Sequence, residues 1–533
     1  MRPGVCEKHQ RRPARLGLLA WPALLACAAG CQKEGSQPPA APQPKTNVVL
    51  FLIDTLRADR MSLYGHDKLT TPFLDEIAQE AVVFDHAQAP APWTLPSVPS
   101  IMTSTFPCEH GVTVDGEKLS KDIPTLAERF KRLDYFTTSF YVNNFAGPLT
   151  GLDRGFDICK KFRSHVSGED VGPWLDQNAA RWPWFLYIHN IEPHNMHNAP
   201  DALVDLVGSV EPNAQRRYGR LISKFRPLLR ADFDPDPEQR RALGATDHSA
   251  QIAALIEQLD QMLDEQWTLY DAVVRHADMR LGSVVAELKQ RGLWDDTLFI
   301  CLSDHGEELS EHGGYLHAQS VYEELTHVPL IIKFPRGELG GRRIADVTPL
   351  IDVLPTVFDY LGRPDLIGPA RGKSLMPVLR GAGASGEPLR VTSVRINRKK
   401  YYRPWSEQRG ERNVALRTND GRYKAIYNVD LGTTEVYDLS ADPAERYNLA
   451  ARDEHAKFTE TVRGYAAGWF ASCSDDAKRA EVVEISADDL RDLKALGYLG
   501  GAEEAGGADE SEEPDAPATQ PTSTAATTRP APP

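Results

Sequence analysis

The 533-residue chain is short of positive charge, with 60 Lys and Arg against 75 Asp and Glu and a formal charge of −15. Neutralising a nucleic-acid backbone takes clustered bases, so nucleic acid is excluded as the main partner. Seven cysteines are present without a Cys-x-x-Cys, which removes zinc-ribbon and thioredoxin-like readings. No internal repeat and no bundle of membrane-spanning segments is visible. What is present is 41% hydrophobic residues with 8% aromatics, enough for a packed globule. The length suggests two or three domains of roughly 100–200 residues each.

The charge is unevenly spread. Residues 1–31 hold five bases (Arg2, Lys8, Arg11, Arg12, Arg15) against Glu7, and 503–533 hold seven acids against Arg529. The basic start precedes an apolar stretch from Leu16 to Ala29, too short for the roughly 20 residues of a bilayer span, and fits a secretory signal. Its end, Ala28-Ala29-Gly30-Cys31, resembles a bacterial lipobox, in which the cysteine is acylated. The alternative is ordinary cleavage with Cys31 lost or free. The expected location is the bacterial cell envelope, exported and lipid-anchored through Cys31, at the periplasmic or outer-membrane face. Residues 32–46 are Pro-rich and read as a tether. Cys108, Cys159, Cys301 and Cys473 remain in the body; export permits disulfides, but four scattered cysteines do not demand them.

Four apolar runs read as buried strands: Asn47 to Asp54, Trp184 to His189, Leu298 to Ser303 and Val328 to Phe334. Tyr135 to Val142 reads as a further strand, and Phe73 to Ala81 and Ile123 to Leu133 have helical spacing. Strands alternating with helices predict a doubly wound α/β sheet covered by helices on both faces. Residues 197–266 are polar, carry Arg216-Arg217 and Arg240-Arg241, and look like a surface insertion over the site, with a helix from Gln251 to Leu263. Short amphipathic strands at Arg390–Val394, Val414–Arg417, Tyr423–Tyr427 and Thr434–Leu439, then a helix near 453–471, suggest a smaller antiparallel α+β subdomain. The expected organisation is a signal (1–31), a tether (32–46), a catalytic domain (47–375), the subdomain (376–500) and a disordered acidic tail (501–533).

Asp54 follows the first strand, and Asp304 and His305 follow the third. Oxygen and imidazole donors converging from separated segments suit a divalent cation, whereas a single Asp after a strand is usually a helix cap. Between them, Thr94-Leu-Pro-Ser97-Val98-Pro-Ser100 places hydroxyls where a helix begins. An anionic ester is favoured there by backbone N–H groups and the helix dipole, and a metal-bound Thr94 hydroxyl could attack sulfur or phosphorus. A Thr94 that merely caps the helix fits the same pattern.

Asn47 to Gly65 with Thr71-Pro-Phe-Leu-Asp75 resembles the opening of the sulfatase family within the alkaline phosphatase superfamily. Ala91 to Gly111 is similar to its nucleophile segment, Phe185 to His194 to its Asp-Pro-His strand end, and Ser303 to Glu308 with Glu311 to Gly313 and His317 to its second metal segment. Glu435 to Leu439, Asp442-Pro443 and Asn448-Leu449 resemble its C-terminal subdomain. The similarity runs from about 47 to 500 and implies an alkaline phosphatase-like mixed sheet. It implies Asp54, Asp304 and His305 as metal ligands, and Thr94 as nucleophile and metal ligand. His194 and His317 become second-metal ligands or proton donors, and Asn143 a donor to a nonbridging oxygen.

The departures carry chemistry. A typical sulfatase oxidises Cys or Ser to formylglycine within Cys/Ser-x-Pro-x-Arg, and here the frame reads Thr94-Leu-Pro-Ser97-Val98. The methyl on the threonine Cβ prevents an aldehyde, Val98 replaces the supporting Arg, and Thr55 stands where a second carboxylate is usual. Threonine here resembles the phosphodiesterase and nucleotide-pyrophosphatase branch. Ca²⁺ is implied by the sulfatase resemblance, and Zn²⁺ or Mn²⁺ equally by His305 and Thr94. The expectation is a metal-dependent hydrolase of sulfuric or phosphoric esters on small-molecule, glycan or lipid substrates. The alternatives are a phosphodiesterase or phospho-headgroup transferase, and a degenerate anion- or glycan-binding protein.

Overall fold

Alternate residues of Asn47–Ile53 (β1) feed two separate cores: Val49, Phe51 and Ile53 on one face, Val48, Leu50 and Leu52 on the other. A strand covered on both faces reads as an unbroken apolar run, which is how β1 stands out in the sequence. Val82–Gln88 (β2), Phe136–Tyr141 (β3), Ile158–Lys161 (β4), Trp184–Asn190 (β5), Thr297–Leu302 (β6), Leu330–Lys333 (β7) and Arg342–Pro349 (β8) join it. Their order across the sheet is β8-β2-β7-β6-β1-β5-β3-β4. β7 is antiparallel to both neighbours and every other pair is parallel. The carboxyl ends of β1, β3, β5 and β6 therefore share one edge, where ligands gather in such sheets. The structure is a computed structural model, described for residues 46–229, 249–382, 387–396, 412–475, 480–483 and 485–495. The signal, most of the tether and the acidic tail lie outside the described residues. Among those described, no helix is long and apolar enough to cross a membrane.

The flanking helices are Pro72–Ile77 (α1), Thr94–Thr103 (α2), Pro107–His110 (α3), Leu126–Lys131 (α4), Gly168–Asn178 (α5), Asp201–Val207 (α6), Ala214–Leu229 (α7), Ser249–Asp260 (α8), Leu263–Gln290 (α9) and Val353–Tyr360 (α10). α1, α5 and α9 cover the Phe51 face, and α2, α4 and α10 cover the Leu50 face. The mixed, doubly covered α/β sheet expected from the sequence is present. The helix expected to start at Ile123 starts at Leu126: the Thr125 hydroxyl accepts the Glu128 N–H, and the Glu128 carboxylate accepts the Thr125 N–H. That capping box sets the boundary. β2, β4 and β8 had no clear signal, because each is partly exposed and interrupted by polar residues.

Segment 197–266 contains α6 to α8. Leu203, Val207, Tyr218, Ile222, Phe225, Ile252 and Leu259 are buried in the core on the α9 side. This segment lends apolar residues to the fold as well as covering it.

Leu389–Ile396 (β9), Arg412–Thr418 (β10), Tyr423–Asn428 (β11) and Thr433–Asp438 (β12) form an antiparallel meander, with Ala456–Asp475 (α11) against it. The four body cysteines, left unpaired by the sequence, include one bridge: Cys108 in α3 is joined to Cys473 in α11, with Cα atoms 5.8 Å apart. The bridge spans 365 residues, so no local spacing announces it. Polar ties also cross to the sheet. Lys424 on β11 is fully buried, 2.9 Å from Glu323 and 3.0 Å from Glu445, and Arg417 on β10 lies 3.0 Å from Glu323. Arg395 on β9 donates to the Ala318 carbonyl at 2.8 Å, and Ala318 N–H donates to the Pro92 carbonyl at 2.9 Å. The meander thereby holds the segment that carries His317.

Candidate active site

Because β1 and β6 run parallel, Asp54 and Asp304 emerge side by side at the carboxyl edge of the sheet. Asp54 is fixed by its backbone, whose N–H donates to the Asn190 carbonyl at 2.8 Å. Thr55 adopts a left-handed backbone (φ 65°), turning its hydroxyl to donate to Asp54 Oδ1 at 2.8 Å. Its N–H donates to Asp304 Oδ1 at 3.4 Å. The residue that replaces a second carboxylate thus ties the other two together. Gly306 follows His305 where a Cβ would lie 2.0 Å from the Glu324 carbonyl oxygen, so no larger residue fits.

Thr94 is the first residue of α2, after Trp93 at the cap position. Pro96 is tolerated in this first turn because the leading N–H groups have no intrahelical acceptor. The Thr94 hydroxyl lies 3.3 and 3.5 Å from the two Asp54 oxygens and 3.2 Å from His305 Nε2. His305 Nδ1 donates to the Gly306 carbonyl at 2.8 Å, which turns Nε2 toward Thr94 and the carboxylates. His305 Nε2 is 3.3 Å from Asp54 Oδ1 and 3.7 Å from Asp304 Oδ2. Ser97, one helical turn after Thr94, donates to the Asp304 carbonyl at 2.7 Å and locks the helix to the ligand segment.

Asp54, Asp304 and His305 are all fully buried, with ligand atoms within 4.8 Å of one another. Asp304 Oδ2 is buried without a hydrogen-bond partner. Burial and the neighbouring Asp54 charge push the Asp304 carboxyl up to about 7. Burial opposes the charged form of His305, yet the Asp304 and Asp54 carboxylates push the ring up to about 9. Two buried carboxylates with oxygens within 4.8 Å, one of them left unsatisfied, fit a divalent cation that supplies the missing positive charge. The imidazole among the oxygen donors suits Zn²⁺ or Mn²⁺ better than the all-oxygen shell of Ca²⁺.

Asn143, at the end of β3, donates Nδ2–H to Asp54 Oδ2 at 3.1 Å, and its Oδ1 accepts the Phe145 N–H. His317 faces His305 with ring centroids 4.7 Å apart and His194 at 5.2 Å. All seven residues singled out in the sequence therefore meet at one edge of the sheet. Burial holds His194 down at about 3, neutral at physiological pH. Two neighbours had not been singled out. His189, on β5, lies with Nε2 3.6 Å from Asp54 Oδ2, and burial holds it down at about 4. Glu307 is buried and accepts from His317 Nδ1 at 3.1 Å. Their only sequence signals were a strand end for His189 and the Asp-His-Gly-Glu run for Glu307.

Glu308, His312 and Glu324 form a second cluster of potential ligands. Its members already satisfy one another and their surroundings. Glu308 accepts from Gly314 N–H at 2.9 Å and from Gln319 at 3.0 Å. His312 donates Nδ1–H to Glu324 at 2.8 Å and Nε2–H to the Glu445 carbonyl at 3.3 Å, so the ring is an imidazolium clamp. Burial opposes that charge, and the Glu324 carboxylate raises the ring from 6.5 to about 8. The folded value lies above the unfolded one, so the clamp's contribution of about 2 kcal/mol is full below roughly pH 6.5 and lost as pH rises through about 8. His312→Asn is accordingly expected to lower stability in urea clearly at about pH 6 and little at about pH 9. An equal loss at both would show that the clamp is not charge-dependent.

Comparison with known proteins agrees with this geometry. The sulfatase family model matches residues 46–363, and a model described as "N-sulphoglucosamine sulphohydrolase, C-terminal" matches 310–465. The chain is 23% identical to the N-acetylglucosamine-6-O-sulfatase of Bacteroides thetaiotaomicron, over 81% of this chain and 86% of that one. It is 25% identical to the Delta 4,5-hexuronate-2-O-sulfatase of the same organism, over 83% and 92%. The crystal structure of the phosphonate monoester hydrolase of Agrobacterium radiobacter superposes with a TM-score of 0.58 at 21% identity, covering 83% of this chain and 99% of that one.

Proposed function

Because the chain belongs to the sulfatase family, and so is an enzyme that hydrolyses sulfate or phosphate esters, we propose that it does so with Thr94 as an unmodified nucleophile. The observation that carries this reading is the Thr94 hydroxyl, held 3.2–3.5 Å from Asp54 and His305 at the start of α2. Asp54, Asp304, His305 and Thr94 would hold a divalent cation, which when bound lowers the cost of deprotonating a hydroxyl and of charge on the transferred group. Asp54 orients the Thr94 hydroxyl and accepts its hydrogen bond. Thr94 Oγ passes its proton to Asp54 as it bonds to sulfur or phosphorus and the ester oxygen leaves. His317, with Nδ1 held by Glu307, donates a proton to that departing oxygen. Asn143 and the first N–H groups of α2 donate to the nonbridging oxygens. In a second step water attacks the same sulfur or phosphorus, giving a proton to His317 while Asp54 returns one to Thr94 Oγ, and releases inorganic sulfate, or phosphate from a monoester and a phosphate monoester from a diester.

Carbohydrate sulfates are the proposed substrate class, by analogy with the named activities of the two Bacteroides relatives. A phosphoryl or phosphonyl group is the second reading, favoured by Thr94 itself: with a methyl on Cβ it cannot become formylglycine. The test is mass spectrometry of protein quenched during turnover of a slow aryl sulfate and, separately, a slow aryl phosphate diester. A sulfo group, or from the diester a phospho group that keeps its second ester substituent, is expected on the peptide carrying Thr94. Turnover with the modification absent from that peptide, or on another residue, removes Thr94 from the role.

A further inference from the structure

The end of the described chain leaves the subdomain and returns to the catalytic domain. Residues 480–483 and 485–495 follow α11, yet Ala480 and Ile485 lie half-buried against the core on the Leu50 face of the sheet, and Leu493 is fully buried in it. Glu481–Val482 pairs antiparallel with Glu117–Lys118, and the Val483 N–H donates to the Gly116 carbonyl at 2.8 Å. Ala487–Ala495 (α12) is capped by Ser486. The Asp489 N–H donates to Ser486 Oγ at 3.1 Å, and that hydroxyl donates to Asp489 Oδ2 at 2.7 Å. Further along α12, Asp492 pairs with Lys161 on β4. The segment is a strap fastened near both of its ends.

Its middle reaches the residues beside the site. With Oδ2 engaged by Ser486, Asp489 Oδ1 accepts the Asn144 Nδ2–H at 3.1 Å, from a residue 345 positions earlier. Asn144 is buried and opens a 3₁₀ turn, Asn144–Ala146, whose cap is Asn143. Successive side chains of this turn point to three places. Asn143 reaches Asp54, Asn144 reaches Asp489, and Phe145 meets Trp93 edge-on with ring centroids 6.0 Å apart. Trp93 is the residue before Thr94. A single 3₁₀ turn is weak by itself, so its place is set by what its side chains hold. Trp93 fixes it from the α2 side, and Asp489 fixes it from the side of the strap.

We propose that Asp489 is a positioning residue of the candidate active site: through Asn144 it holds the turn that aims the Asn143 amide. The inference rests on the role given above to Asn143 as donor to a nonbridging oxygen. Such a donor acts on charge that develops in the transition state, so a misplacement of about 1 Å is costly. Releasing Asn144 frees the turn at one of its two anchors and lowers kcat, while binding of the ground-state substrate is little changed. A buried amide that needed an acceptor for stability alone would shift the unfolding midpoint and leave kcat of the folded protein as it was. The strap thus belongs to the catalytic unit, although it follows the subdomain in sequence.

The test compares full-length variants on an aryl sulfate and an aryl phosphate diester. Asp489→Ala is expected to lower kcat about tenfold or more, with KM within about threefold of wild type. Asp489→Asn keeps an oxygen for Asn144 and should bring kcat back to within about threefold. Ser486→Ala removes the cap of α12 and spares the bond to Asn144, so it should cost kcat less than about twofold. In an Asn143→Ala background, Asp489→Ala should have no further effect on kcat. Hydrogen exchange gives a readout that needs no turnover. The Phe145 and Ala146 amides, bonded to Asn143 Oδ1 at 3.0 Å and to its carbonyl at 2.9 Å, should exchange faster in Asp489→Ala. The proposal is overturned if Asp489→Ala keeps kcat within about twofold, if Ser486→Ala costs as much, or if Asp489→Asn restores nothing. Unchanged exchange at those two amides overturns it as well. Faster exchange in Asp489→Ala, in a protein that turns over no ester even as wild type, would sink the hydrolase reading and leave Asp489 holding Asn143 in place. Ester turnover that ignores Asp489 would sink only the role of the strap.

Discussion

Thr94→Ala is expected to lower kcat/KM for an aryl sulfate or aryl phosphate ester by about 10⁴-fold or more. In the proposed reaction this hydroxyl forms the covalent ester with the transferred group and then releases it to water. Alanine keeps the β-carbon at a fully buried position and keeps the helix start, so folding should be nearly unaffected. What remains is binding, positioning and charge stabilisation by Asn143, His194 and His317, and such remnants typically sit several decades below an intact nucleophile. Thr94→Ser should retain measurable turnover, since it keeps the oxygen and loses only the methyl that sets its rotamer. Ser97→Ala supplies the contrast: that hydroxyl donates to the Asp304 carbonyl, and losing it should cost far less. If Thr94→Ala keeps more than about a tenth of wild-type turnover, direct attack by an activated water replaces the covalent route.

Asp304→Asn should separate metal binding from folding. In the metal-free protein Asp304 and Asp54 are two buried carboxylates, and burial together with Asp54 already pushes Asp304 up to about 7. Removing one charge relieves that repulsion, so the metal-free variant should unfold at a temperature equal to or above that of metal-free wild type. Saturating Zn²⁺, Mn²⁺ or Ca²⁺ should then raise the wild-type midpoint, by about 2.7 kcal/mol of stability at 100-fold excess over Kd, and leave the variant unmoved. Turnover should be lost in the variant whichever ion is supplied. A variant that gained as much thermal stability as wild type from the same ion would place the cation elsewhere. Running the three ions side by side ranks their affinities for the site through the size of the midpoint shift.

Much of the fold was readable because burial on both faces leaves a simple mark. β1, β5 and β6 are unbroken apolar runs, and each ends at the edge where the site lies. β4 and β8 are edge strands, so solvent reaches them and polar residues interrupt the pattern; in Ile158–Lys161 the last three residues are exposed. The reversed direction of β7 left no mark, since an apolar run reports burial and not polarity. Thr55 read as the loss of a carboxylate, and only its left-handed backbone shows the residue bridging Asp54 and Asp304. The strand end at His189 and the Asp-His-Gly-Glu run at Glu307 did not single these residues out, because each acts through a partner more than a hundred residues away or on the far limb of a hairpin.

The sequence by itself determined the chemistry on offer: carboxylates and an imidazole after apolar strands, a threonine unable to become formylglycine, and the ordered motifs of the sulfatase family. Those properties depend on residue type and local order along the chain. The tertiary structure alone decided which groups touch. Parallel pairing brings Asp54 against Asp304, the first turn of α2 delivers Thr94 to them, and a bridge across 365 residues joins α3 to α11. It also decided the meaning of the bases in the 197–266 segment. A run of arginines reads as a polar surface, and packing shows that the other side of α7 is buried in the core, against Tyr315 and close to His197. Charge is a property of composition, whereas its direction comes from the fold.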